Sequence, residues 1–357
     1  MQDFKIIEKK QEALEKSLAR KSHFRRAFIF LTIFALLMAG LSQSIQQILL
    51  MNDSVVNSRH KNMYGISKED SNSIDMVILG DSLSYTSFSP MLLWENQGIT
   101  SYDCGQSGQK IQESYYMLQR VLKTQSPKVL LMETNTLFRG ESSKVEDLKD
   151  TIEAWENYHL SLFRGHDIWK SVLSGKNWTE KDYKGFAFRC TRASYTGGKY
   201  MKKTKAKAEM PEMVIKYMKK IQKLCKENHI QLILVSAPSP VNYSYAKHNT
   251  LTAYAKENSL EYLDLNLKLK EVGINWKTDS LDGGDHLNLS GAQRVTSYVG
   301  KYLQKVTELV DHRGDKSYAS WKKEAKKYQK KADRHLKKIR KTVKKKQKTK
   351  KATVGNI

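Results

Sequence analysis

Cysteine is scarce in this chain. Cys104, Cys190 and Cys225 are spread over 357 residues, too few and too scattered for a disulfide framework or a zinc site. They neither demand nor exclude an oxidising compartment, and Cys225 falls on the apolar face of an expected helix. No internal repeat is visible, which sets aside solenoid and propeller architectures. A glycine-rich phosphate loop is also missing, and with it the usual mark of a nucleotide site. Hydrophobic residues, at 39%, are somewhat low for a globular chain, and charged residues, at 28%, somewhat high. Acidic residues nearly vanish at the C-terminus: from Trp321 to Ile357 there are 17 Lys/Arg against 2 Asp/Glu, within a formal charge of +25. The remainder is only moderately basic. The length suits one large domain or two ordinary ones with a sizeable core.

The one long apolar run lies near the N-terminus. A basic leader, residues 1–26, precedes an apolar stretch from Ala27 to Leu41 that extends through glutamines to Met51, 25 residues in all. About 20 residues cross a bilayer as a helix, so 27–51 is expected to be a single membrane anchor. A cleaved signal peptide, with small residues near Ser42 and Ser44, and a buried soluble helix are the competing readings; the leader is long for a signal peptide. Arg20, Lys21, Arg25 and Arg26 crowd the leading flank. That predicts a cytoplasmic N-terminus, with everything after the anchor outside.

At the other end, 311–357 is a lysine-rich tail. Trp321, Ala325, Tyr328, Ala332, Leu336, Ile339 and Val343 recur at helical spacing. Two readings stand: a solvated tail, or a basic amphipathic helix lying on an anionic surface. Binding of nucleic acid would need a cytosolic tail, against the topology.

After a linker at 52–73, residues 74–310 read as one domain. Short apolar strands are expected at 75–79, 100–105, 128–133, 230–236 and 261–265. Amphipathic helices are expected at 109–125, 211–228, 244–258 and 290–307. That alternation predicts an α/β fold, a three-layer flavodoxin-like parallel sheet covered on both faces. Ligand sites in such sheets lie at the carboxyl ends of the strands. Residues of about 138–208 break the alternation and read as an insertion over those ends; His159 and His166 within it are expected at the surface or in packing.

"VILGDSLS", residues 77–84, ends a strand on Gly80, Asp81 and Ser82. A turn would use the same residues. A nucleophilic serine would also need an imidazole, a carboxylate to orient it, and donors for an oxyanion. His286 could supply the imidazole: it sits in a Gly-rich loop with acidic neighbours, directly before an expected helix.

With these residues in view, the chain resembles the SGNH, or GDSL, hydrolases. "ILGDSLS" is similar to their first block, "CGQSGQK" at 104–110 to the second, "LLMETN" at 130–135 to the third and "DGGDHLNLSGA" at 282–292 to the last. The blocks keep the family's order over about residues 74–305. The resemblance implies Ser82 as nucleophile and His286 as base. It implies an oxyanion hole of the Ser82 N–H, the Gly108 N–H and the Asn135 side chain, with Gly105 as the alternative glycine. Gly80 and Asp81 would be structural, Asp81 holding the strand-to-helix turn. Two departures matter. The family's Asp stands three residues before the histidine, where this chain has Gly283; Asp282 or Asp285 must serve. Thr134 stands where the family has glycine before Asn135.

The implied activity is that of a serine esterase or O-acyltransferase working through an acyl-serine, with no metal and no organic cofactor. An extracytoplasmic SGNH-like domain on a single anchor at the cell membrane resembles proteins that modify cell-surface polymers. The implied partners are an acylated polysaccharide or other cell-envelope polymer and a membrane-embedded acyl-donor protein, with no nucleic acid. The alternative is a non-catalytic scaffold that binds an anionic envelope polymer.

Overall fold

The computed structural model describes residues 2–51, 56, 58–140, 143–165 and 183–354, with backbone alone beyond Ile339. His166 lies outside the described residues. In chain order the elements are α1 (Gln2–Met51), α2 (Lys61–Ile66), β1 (Met76–Leu79), α3 (Ser82–Ser87), α4 (Pro90–Gln97), β2 (Ser101–Asp103), α5 (Ile111–Val121) and β3 (Val129–Glu133). Then come α6 (Lys144–His159), α7 (Ser161–Arg164), α8 (Glu212–Glu227), β4 (Gln231–Ser236), α9 (Tyr245–Glu257), β5 (Glu261–Asp264), α10 (Leu269–Val272), α11 (Leu289–Val306) and α12 (Ala319–Val354).

The five strands form one parallel sheet in the order β2-β1-β3-β4-β5. This is the flavodoxin-like order, in which a crevice opens where the connections diverge from β1 to either side. All five expected strands are present, each within a residue or two of its expected bounds. Their apolar runs are continuous because both faces are covered. Val77, Leu79, Leu130, Met132, Leu232 and Leu234 point one way, against Met117, Leu118, Val214, Met218 and Ile221 of α5 and α8. Their neighbours Met76, Ile78, Leu131, Ile233 and Val235 point the other way, against Leu83, Phe88 and Leu93 and against Val295, Val299 and Leu303 of α11.

The leader and the apolar segment form a single helix of 50 residues. Phe28, Phe30, Leu31, Leu36 and Leu37 are exposed along it, and it is long and apolar enough to cross a membrane. Its last turns belong to the domain: Ser42 and Leu49 are buried, the Leu162 N–H donates to Ser42 Oγ at 3.4 Å, and Ser161 Oγ donates to Gln46 Oε1 at 3.3 Å.

The C-terminal helix differs from both expectations for the tail. Trp321, Ala325, Tyr328, Ala332 and Ile339 are buried against the domain. Trp321 packs on Trp94 with ring centres 5.5 Å apart, and Tyr328 packs on Tyr183 at 5.2 Å. Among the described residues the apolar stripe is taken up by protein, and the lysine faces are left for solvent. The insertion region contributes α6, α7 and an extended strap from residue 183 onward. Exposed His159 stacks on Trp155 at 4.9 Å, a packing role.

Candidate active site

The end of β1 makes the first half of the site. Gly80 lies so close to β3 that a Cβ there would stand 2.6 Å from Glu133 Cβ, so the strand can leave the sheet here only as glycine. Asp81 follows as the N-cap of α3, its Oδ1 accepting from the Leu83 N–H at 2.9 Å. Such a cap contributes ~1 kcal/mol. It also sets Ser82 as the first helical residue, half-buried, at the carboxyl edge of the sheet.

The loop before α11 makes the second half. Ser280 and Leu287 form an antiparallel bridge, and the Leu281 N–H donates to His286 O at 2.9 Å. The chain between them reverses through Gly283 and Gly284, with φ of +82° and +104°, left-handed values that a side chain would resist. Asn288 caps α11 through the Ser290 and Gly291 N–H groups and donates to Thr278 O and Ser280 O. The histidine loop is thereby tied to a long, packed helix.

These halves meet. His286 Nε2 is 2.7 Å from Ser82 Oγ, and His286 Nδ1 is 2.6 Å from Asp282 Oδ2. The other oxygen of Asp282 accepts the His286 N–H at 2.7 Å. One carboxylate therefore fixes both the backbone and the ring of the histidine. With Nδ1–H donated to Asp282, Nε2 is left to accept the serine proton. Asp285 stands farther from Nδ1, at 3.5 Å, and is held by Asn242 Nδ2. Of the two candidate carboxylates, Asp282 is the one the loop turns toward the ring. Asp282, Asp285 and His286 could together offer atoms to a cation, but the ring nitrogen they would use is the one that Asp282 already holds.

The expected oxyanion donors divide. Gly108, at φ +63°, sits in a turn closed by the Gln109 N–H on Gln106 O at 3.1 Å, and the Gln106 N–H reaches Gly80 O at 3.3 Å. The turn therefore lies beside Ser82. The N–H groups of Ser82 and Gly108 make no hydrogen bond among the described residues, so both are free to meet developing charge. Gly105 is not: its N–H donates to Asp103 Oδ1 at 2.8 Å. Asn135, on a 3-10 turn after β3, donates Nδ2 to Asp81 Oδ2 at 2.7 Å. That bond uses one of its two amide protons and leaves one.

Arg139 is the residue that sequence reasoning missed. Its Nε and one terminal nitrogen donate to Asp81 Oδ2 at 2.8 and 2.6 Å. Asp81 is fully buried, whereas the Arg139 side chain is 40% exposed. A buried carboxylate needs a partner, so asking what neutralises Asp81 was the available signal. Two more carboxyls lie below. Burial pushes the Asp103 carboxyl well up from its ordinary value, and burial with the nearby Asp81 charge does the same for Glu133. Both favour the neutral form.

No protein-family pattern matches the chain, and no curated protein sequence matches it. Among solved structures it is similar to a candidate acylhydrolase from Bacteroides fragilis (13% identical, TM-score 0.37, covering 69% of this chain and 96% of that one). It is also similar to a candidate platelet activating factor from Streptococcus pneumonia (14%, 0.37, 77% and 98%). A third is a GDSL-like lipase from Bacteroides thetaiotaomicron (12%, 0.32, 65% and 88%). At these scores the likenesses carry no argument. The SGNH-like fold rests on the strand order and on the four sequence blocks meeting at one sheet edge.

Proposed function

We propose that the protein is a serine esterase or O-acyltransferase, anchored in the cell membrane by α1, that acts outside the cytoplasm on acyl esters of an envelope polysaccharide. The observation that carries the chemistry is the unbroken line Ser82–His286–Asp282, with contacts of 2.7 and 2.6 Å.

Ser82 Oγ attacks the ester carbonyl while its proton passes to His286 Nε2. The tetrahedral oxyanion is met by the N–H groups of Ser82 and Gly108 and by the remaining Asn135 amide proton. Such donors contribute about a hundredfold or more each in rate. The imidazolium, steadied by Asp282, then protonates the leaving alcohol as the carbonyl re-forms, giving acyl-serine. Water, or a sugar hydroxyl, attacks this ester with His286 again as base and releases Ser82. Asp81 and Arg139 hold the nucleophile turn without touching the acyl group.

The anchor reading is supported by the exposed apolar length of α1 and by the burial of Ser42 and Leu49 in the domain. Cleavage near Ser42 or Ser44 would strip the domain of a helix it packs against. The basic flank at residues 20–26 supports N-terminus inside, and a membrane-embedded acyl donor would suit a site tethered this close to the bilayer.

The test is turnover of p-nitrophenyl acetate by the full chain in detergent. Wild type is expected to hydrolyse it through an acyl-Ser82 species visible by mass spectrometry. Ser82→Ala and His286→Ala should each remove at least about a thousandfold of activity, and the double variant little more, because the residues act as a unit. Equal rates in wild type and Ser82→Ala would leave a non-catalytic scaffold.

A further inference from the structure

The positive charge of this chain is segregated. Residues 183–208 hold eight Lys/Arg and no Asp/Glu, and α12 holds seventeen against two, which leaves 37 Lys/Arg and 35 Asp/Glu in all the rest. A formal charge of +25 therefore sits almost wholly on two segments. Surfaces that serve solubility alone mix both signs; a concentrated field of one sign points to a partner of the other.

The fold joins the two segments and runs the strap past the triad. Tyr183 and Phe188 of the strap pack on Tyr328 of α12 at 5.2 and 5.8 Å, and His335 packs on Phe188 at 5.3 Å. The strap then continues extended. The Ala187 N–H donates to Tyr85 O on the nucleophile's helix at 2.9 Å. Arg189 O accepts from the Leu289 N–H at 2.7 Å. Ala193 is bonded both ways to the histidine loop, through Leu281 O at 3.0 Å and the Gly283 N–H at 3.1 Å. The strap ends on α9, where Asn249 Nδ2 donates to Thr204 O and Ala206 O, each at 2.8 Å.

Its later lysines, 199, 202, 203, 205 and 207, are exposed, and so are Lys326, Lys330 and Lys337 on the outer face of α12. None of these eight is paired with a carboxylate among the described residues. With 36 residues, α12 is about 54 Å long at the usual helical rise, room for several repeat units of a polymer.

We propose that the strap and α12 form one binding surface for a polyanionic chain, a phosphate- or carboxylate-bearing envelope polymer, and lead its acyl-bearing units past Ser82. The inference rests on the proposed acyl chemistry for its purpose, not for the binding itself.

The experiment uses the full chain in detergent with long-chain inorganic polyphosphate as the probe. One variant carries Lys202, Lys203, Lys205 and Lys207→Gln; a second carries Lys326, Lys330 and Lys337→Gln; a third combines them. At about 0.1 M salt, where surface charges still act over ~10 Å, each single set should weaken binding about tenfold and the combined set further. Wild-type affinity should fall steeply with salt. Saturating polyphosphate should slow labelling of Ser82 by a fluorophosphonate in wild type and not in the combined variant. Turnover of p-nitrophenyl acetate should be the same in all four proteins.

Unchanged affinity in the combined variant would overturn the proposal, as would undiminished Ser82 labelling at saturation. Loss of binding to phosphatidylglycerol vesicles with polyphosphate binding intact would assign the surface to the membrane instead. If Ser82→Ala keeps wild-type ester turnover, the catalytic reading fails, and the polyphosphate affinities still decide this one.

Discussion

His286 Nδ1 lies 2.6 Å from Asp282 Oδ2 and 3.5 Å from Asp285 Oδ1. The nearer carboxylate is the one four residues away in sequence, because two left-handed glycines fold the loop back on itself. Asp282→Asn should lower kcat on p-nitrophenyl acetate by at least about a hundredfold, since an amide in that place no longer holds the ring in the tautomer that accepts the serine proton. Asp285→Asn keeps an oxygen for Asn242 and should cost less than about fivefold. The reverse order in steady-state kinetics would reassign the third member of the triad.

Arg139 holds Asp81, the N-cap of the helix that begins at Ser82. Removing it leaves a fully buried carboxylate with Asn135 Nδ2 and the Leu83 N–H as its remaining donors among the described residues. Breaking such a pair from one side is destabilising, and Arg139→Ala should cost about 2–3 kcal/mol in urea unfolding, less than for two fully buried charges. Asn135 would then be drawn harder onto Asp81, so kcat should fall about tenfold, as for a weakened oxyanion donor, with KM little changed. Arg139→Lys should recover part of the stability but not the two-nitrogen grip. A variant that unfolds like wild type would remove Arg139 from the site's support.

The Asp103 carboxyl predicts a pH dependence. Its folded-state pKa is raised by burial, so the neutral acid is the form the fold prefers. Stability from that preference is full below the unfolded value, ~3.9, and is lost as pH rises toward the folded value. Asp103→Asn keeps an oxygen for the Gly105 N–H and for Ser84 Oγ without the ionisation. Between pH 5 and 8 the melting temperature of Asp103→Asn should fall less than that of wild type. Parallel profiles would show that Asp103 does not titrate with unfolding in that range.

How much of this was legible depends on what each pattern encodes. The strands stood out because Val77–Leu79, Val129–Met132 and Leu232–Val235 are apolar without a break, which is what burial on both faces demands. Ser82 and His286 stood out because a small-residue turn after a strand and an acidic, Gly-rich loop before a helix are local signatures. The choice between Asp282 and Asp285 was not local: it turns on two φ angles that the glycines permit but do not require. Arg139 carried no local pattern at all, lying 58 residues beyond its partner Asp81. The stripe Trp321–Tyr328–Ile339 announced an apolar face and nothing about what covers it. A membrane surface and the rings of Trp94, Tyr183 and Phe188 satisfy the same periodicity.

That last ambiguity yields a prediction about where the chain can be cut. If the tail were a solvated or membrane-bound appendage, removal from Asp315 onward would leave the domain intact. Trp321, Tyr328 and Ala332 are instead buried, Trp321 against Trp94, and Lys184 reaches across to Glu324 at 3.5 Å while its Nζ lies 4.6 Å from the centre of the Trp321 ring. Losing a buried aromatic costs about 3–5 kcal/mol, so Tyr328→Ala alone should lower the unfolding midpoint markedly. Truncation at Asp315 removes both rings and exposes Trp94 and Phe186, and should give aggregated or proteolysed protein with little ester turnover. Truncation after Ile339 keeps every residue of α12 described as buried, and should retain the melting temperature and small-ester kinetics of the full chain. Equal stability of the two truncations would show that the packing of α12 contributes nothing to the fold.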